Sequence, residues 1–156
     1  MTDCSAHSVP PSAAGHLEPY GVRVMLLPAS DELDPREFLV AFLQDLAAAC
    51  LASGASVIGH LKCLLHTPGH ACACNLTSLR EGANCSARPV RGHVSGAMSA
   101  PVALERGRQA RLDLAVLVYG LPAATIDVLV RAALTRFLGP LDVSWSIAAE
   151  TGSEHR

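Results

Sequence analysis

A proline–glycine pair set between two alternating runs is the feature that most limits how this chain can fold. Residues 56–79 read SVIGHLKCLLHTPGHACACNLTSL. Pro fixes its own φ and Gly admits φ > 0, so Thr67-Pro68-Gly69 reads as a tight turn, and the flanking runs read as the strands of a β-hairpin. A three-residue loop puts His66 opposite His70, Leu64 opposite Cys72, Lys62 opposite Cys74 and His60 opposite Leu76. Side chains alternate between faces along a strand. One face then carries His60, Lys62, Leu64, His66, His70, Cys72 and Cys74. The other carries Val57, Leu61, Cys63, Leu65, Ala71 and Ala73, an apolar set that suits a core. A slip of one residue exchanges the two sets, and the apolar set argues against it.

Opposed side chains across a hairpin have Cβ atoms about 4.5–5.5 Å apart. The expected register therefore gathers His66, His70 and Cys72, with Cys74 one pleat further on. Imidazole and thiolate donors of this kind suit zinc or another transition metal. The spacing HxxCxxHxxxHxCxC matches no standard finger or ribbon. The plainer alternative is an exposed hairpin tip with polar histidines and small, half-buried cysteines.

The rest of the chain supplies the elements that this hairpin needs for a core. Its 156 residues suffice for one domain. Half of them are hydrophobic and aromatics are scarce, so Ala, Val, Leu and Ile must build the interior. Residues 1–20 are rich in Ser, Ala, Pro, Gly and His without periodicity and read as a disordered tail. Residues 21–28 read as a strand. Asp34 is placed to cap a helix, with Pro35 at its first position and Glu37 in the capping-box position. Leu39, Phe42, Leu43, Leu46 and Cys50 follow as one apolar stripe. Gly59 marks a bulge or a close backbone approach in the first hairpin strand.

Residues 80–108 form an irregular Arg- and Gly-rich insertion, read as an extra hairpin or a functional lid, with a short strand near 90–95. Residues 109–120 are a clear strand, 122–138 a second amphipathic helix and 141–148 a last strand. Residues 149–156 read as a frayed end. The expected domain spans residues 21–148. The order β-α-β-β-(loop or β)-β-α-β points to an α+β, ferredoxin-like split βαβ sandwich with one or two extra strands. Both helices would cover one sheet face. The other face is left for a ligand or for a second copy.

Charge narrows the function. The net charge of −2 favours neither nucleic acid nor membrane. No aromatic residue lies between Phe42 and Tyr119, which argues against a single-strand nucleic-acid platform. The most apolar long stretch, residues 112–130, is interrupted by Asp113, Gly120, Pro122 and Asp127 and does not read as a membrane span. Residues 1–20 lack the apolar core of a secretory signal. The six cysteines are therefore expected as free or metal-bound thiols of a cytoplasmic protein.

Arg80, Arg88, Arg91, Arg106, Arg108 and Arg111 oppose only Glu81 and Glu105, which leaves a local excess of four positive charges. Guanidinium forks suit phosphate and carboxylate. Among twelve basic residues Lys62 is the single lysine. A flexible ammonium at mid-strand suits an anion anchor, and Lys62, Arg88, Arg91 and Arg111 are the candidate anion contacts. The phosphate-loop, dinucleotide, nucleophile-elbow and HExxH signatures are absent.

Gly59-His60-Leu61-Lys62, with Val118-Tyr119-Gly120 some sixty residues later, resembles segments of the domains that accompany CobW-type metal-handling GTPases. The resemblance implies a metal- or cofactor-associated accessory domain, carried at His60 and Lys62. The GTPase motifs are missing, so GTP hydrolysis is not implied.

The leading expectation is a small, non-catalytic accessory protein for a transition metal or a small anion. One alternative is a small enzyme with His60 and Lys62 as catalytic residues on a phosphorylated or carboxylated substrate. The other is an oligomerising domain that uses the open sheet face as a homodimer or protein contact.

Overall fold

The computed structural model describes residues 17–31, 33–90 and 104–148. The expectations for the tail over residues 1–16, for Arg91, for most of a strand near 90–95 and for the C-terminal end fall outside these residues. Among these residues six strands and two α-helices follow in order: β1 (Tyr20–Pro28), α1 (Pro35–Ala52), β2 (Val57–Thr67), β3 (His70–Leu76), β4 (Ala83–Pro89), β5 (Ala110–Tyr119), α2 (Ala123–Leu138) and β6 (Val143–Ile147). The strands form one sheet in the order β4-β3-β2-β5-β1-β6. Every pairing is antiparallel, so the protein is mixed α+β. Among the described residues no helix is long and apolar enough to cross a membrane.

Local chemistry sets the helices. The Asp34 carboxylate accepts from the Glu37 N–H at 2.9 Å, and Pro35 opens α1. That cap satisfies one of the donors a helix start leaves open. α2 starts without a cap from its own flanking residue. The Glu18 carboxylate, far away in sequence, accepts from the Ala123 N–H at 2.9 Å instead.

Alternation sets the two faces of the sheet. Val24, Leu26, Leu61, Leu65, Leu76, Leu112, Val116 and Val118 share the buried face and join one core with α1 and α2. The two helices meet through Phe38, Phe42 and Phe137, with ring centroids 5.6–6.5 Å apart. Phe42 is fully buried, and burial of such a side chain contributes about 1.5–3 kcal/mol.

Gly59 sits at a register shift between Ile58 and His60 where β2 pairs with β5. A Cβ at that position would stand 2.9 Å from the Leu117 carbonyl oxygen, so a side chain there would push the strands apart.

The hairpin differs from expectation by one residue. Thr67 pairs directly with His70, so the connection is the two residues Pro68 and Gly69, with Gly69 at φ 84°. Thr67 belongs to the strand because its side chain is buried and its hydroxyl donates to the His70 carbonyl at 3.4 Å. The true pairs are His66 with Ala71, Leu65 with Cys72, Cys63 with Cys74 and Lys62 with Asn75. The insertion also gains order: β4 pairs with β3 over seven residues, and its strand ends at Pro89.

Candidate functional site

The one-residue shift redistributes the chemistry of the hairpin. Because the side-chain period is two, it moves the whole of β3 to the opposite face. His66 stays on the face away from the helices, whereas His70, Cys72 and Cys74 turn to the helix side. Cys72 and Cys74 are buried there among the core residues. Cys74 is joined to Cys85 of β4 as a disulfide, where both were expected as thiols. The four expected metal ligands, His66, His70, Cys72 and Cys74, therefore do not converge. Among the described residues no three His, Cys, Asp or Glu side chains group to hold a metal. The remaining described thiols, Cys50, Cys63 and Cys72, are poor nucleophiles at rest. Burial pushes Cys63 up to about 12 and Cys50 up to about 11, and it raises Cys72 as well.

The face away from the helices carries the polar chemistry. β2 and β5 are neighbours, with His60 opposite Leu117, Lys62 opposite Ala115, Leu64 opposite Asp113 and His66 opposite Arg111. β1 continues these rows, placing Arg23 beside Asp113 and Met25 beside Arg111. β3 and β4 extend them the other way, with Asn75 beside Asn84, Ala73 beside Ser86 and Ala71 beside Arg88.

Asp113 sits at the centre of this face. Its carboxylate accepts from Arg23 Nε at 2.7 Å and lies 3.2 Å from Arg111 Nε and 3.5 Å from His66 Nε2. The Arg111 distance is that of an ion pair, but neither nitrogen meets hydrogen-bond geometry. Arg111 Nε and His66 Nε2 are thus shielded from solvent without a hydrogen-bond partner.

Beside the cluster lies a shallow concavity of about 610 Å³. Lys62, Asn75, Asn84, Ser86 and Asp113 supply its polar groups, while Leu64, Ala73 and Ala115 form an apolar floor. Four fixed cations, Arg23, Lys62, Arg88 and Arg111, share this face with one carboxylate, Asp113, among the described strand residues. The local charge is therefore +3, in a chain of net −2.

The structure separates the other expected anion contacts. Arg88 and Arg111 join this face, whereas Arg108 pairs with Glu105 at 2.7 Å and the Arg106 N–H donates to Asp31, away from it. Arg80 lies in the connection between β3 and β4. His60 stands one pleat beyond Lys62 and does not line the concavity. Arg23, Asn75, Asn84 and Ser86 escaped the sequence reading. Arg23 had a signal, since it interrupts an otherwise apolar strand. Asn84 and Ser86 had none, because β4 carries no alternating apolar pattern.

Comparison with protein-family models, curated proteins and solved structures gives no match to this chain.

Proposed function

We propose that this chain is a small, non-catalytic binding protein that takes a phosphate- or carboxylate-bearing ligand on its open sheet face. One observation carries the reading. Lys62, Asn75, Asn84 and Ser86 line a concavity with an apolar floor, and Arg23, Arg88 and Arg111 add positive charge on the same sheet face. Guanidinium and ammonium donors on a rigid sheet suit anion recognition, and Leu64, Ala73 and Ala115 offer apolar surface to the body of the ligand.

The order of strands supports a ferredoxin-like architecture behind this site. β5 lies between β1 and β2, and β1 lies between β5 and β6, so both βαβ units are split. β3 and β4 extend the sheet at one edge and supply one side of the concavity. An accessory role of the kind implied by the CobW-type resemblance fits a binding surface at Lys62, and His60 stands on the same strand and face.

Calorimetric titration of the purified chain with inorganic phosphate and with citrate tests the reading. Saturable binding is expected, at least fivefold weaker in Lys62→Gln and weaker again at high salt. Absence of saturable binding, or equal binding by the variant, overturns it.

A further inference from the structure

Three cysteines stand in one row across three strands. Cys63 of β2 opposes Cys74 of β3, and Cys74 opposes Cys85 of β4. All three lie on the helix side of the sheet. Cys74 and Cys85 share the disulfide, and Cys63 is a buried thiol.

The strand held by this bond is the least buried in the sheet. β4 is an outermost strand, and of its seven residues only Ala83 and Cys85 are even half-buried. Apolar burial therefore does little to hold it, and the ladder to β3 and the disulfide remain. On its other face, the same strand lines the concavity with Asn84 and Ser86 and carries Arg88 beyond them. The bond on the helix side thus fixes a wall of the groove on the open side.

We propose that the Cys74–Cys85 disulfide is a redox-controlled clamp on β4, and that its reduction loosens the groove and weakens anion binding. This rests on the anion-binding reading above. The chemistry requires a dithiol reductant. Its thiolate attacks the sulfur of Cys85, the half-buried partner, because Cys74 is only 3% exposed. A mixed disulfide forms at Cys85, and Cys74 leaves as a thiolate that takes a proton. The second thiol of the reductant then attacks its own sulfur in the mixed disulfide. Cys85 leaves as a thiolate and is protonated in turn, and the reductant departs as a cyclic disulfide. Two electrons and two protons reach the protein. Cys63 stays protonated in its buried position, so the bond does not migrate inward at rest.

The test compares the full chain oxidised and after dithiothreitol treatment, with the redox state read by alkylation and intact mass. Amide hydrogen exchange and phosphate titration are the two readouts. Reduction is expected to speed exchange of the β4 amides at least tenfold, to leave β5 unchanged, and to weaken phosphate binding at least threefold. Cys85→Ser should behave as the reduced protein and ignore dithiothreitol. Equal β4 exchange and equal phosphate binding in both redox states overturn the clamp alone. Failure of the oxidised protein to bind phosphate overturns the anion reading and the regulatory role with it. Free thiols at Cys74 and Cys85 in protein purified without reductant also overturn the clamp.

Discussion

Replacing Asp113 with Asn separates a binding surface from a merely structural ion cluster, because the two roles move stability and affinity differently. Asp113 pairs with Arg23 at 2.7 Å and with Arg111 at 3.2 Å. These groups are 29–54% exposed, so each pair is worth only about 0.2–1 kcal/mol. Losing both costs about 1 kcal/mol and lowers the melting temperature by roughly 2–4 °C. The effect on an anion has the opposite sign. A ligand held by Lys62 in the concavity lies about 5 Å from the Asp113 carboxylate that lines it too, and at an effective dielectric of about 40–80 the repulsion is about 1–2 kcal/mol. Asp113→Asn removes that repulsion and should strengthen phosphate binding roughly five- to thirtyfold. Urea unfolding and calorimetric titration of the same preparation give both numbers. A folded variant that binds phosphate no better than the parent would refute the reasoning.

Three further outcomes follow from packing and titration. Phe42→Ala empties a fully buried site beside Phe38 and Phe137 and should cost about 3–5 kcal/mol in urea unfolding. Gly59→Ala places a Cβ against the Leu117 carbonyl and should cost about 1–3 kcal/mol by the same measurement, with amide shifts confined to the β2–β5 bulge. Stability should also fall in alkali. An unfolded thiol titrates near about 8.5. Folded Cys63 and Cys50 are pushed up to about 12 and about 11. Above pH of about 8.5 the unfolded chain loses protons that the folded chain keeps. Stability is therefore full below that pH and falls as pH rises, by on the order of 1 kcal/mol per pH unit for each thiol until it titrates in the fold. Urea midpoints at about pH 8 and about pH 10.5 check the sign, and the effect should shrink in Cys63→Ala.

Elements with local signals were legible in the sequence. The Asp34 cap, Pro35 and the Phe42–Leu46–Cys50 stripe located α1, and the alternation of Leu112, Leu114, Val116 and Val118 located β5. Gly59 was legible as a close backbone approach because only a missing Cβ admits the Leu117 carbonyl. The hairpin was legible as a hairpin but not in its register. Thr67 reads equally well as a turn residue or a strand residue, and its burial against the core decides between them. That single residue turns Cys72 and Cys74 from prospective ligands into core and disulfide cysteines. Distant pairings such as Cys74 with Cys85 and Arg23 with Asp113 depend on tertiary register, which no local pattern encodes. Lys62 stands out in the sequence as the single lysine, and it lines the concavity, whereas Asn84 and Ser86 join that lining only because β4 docks on β3.

The central claim is that the open face of the sheet receives an anion, and backbone amide spectra read it most directly. Two-dimensional ¹H–¹⁵N spectra of the oxidised full chain should be followed as inorganic phosphate is added. Saturable shifts are predicted at Lys62, Asn75, Asn84, Asp113 and Ala115, with α1 unmoved. No saturable shift, or shifts confined to the helix side of the sheet, would contradict the account.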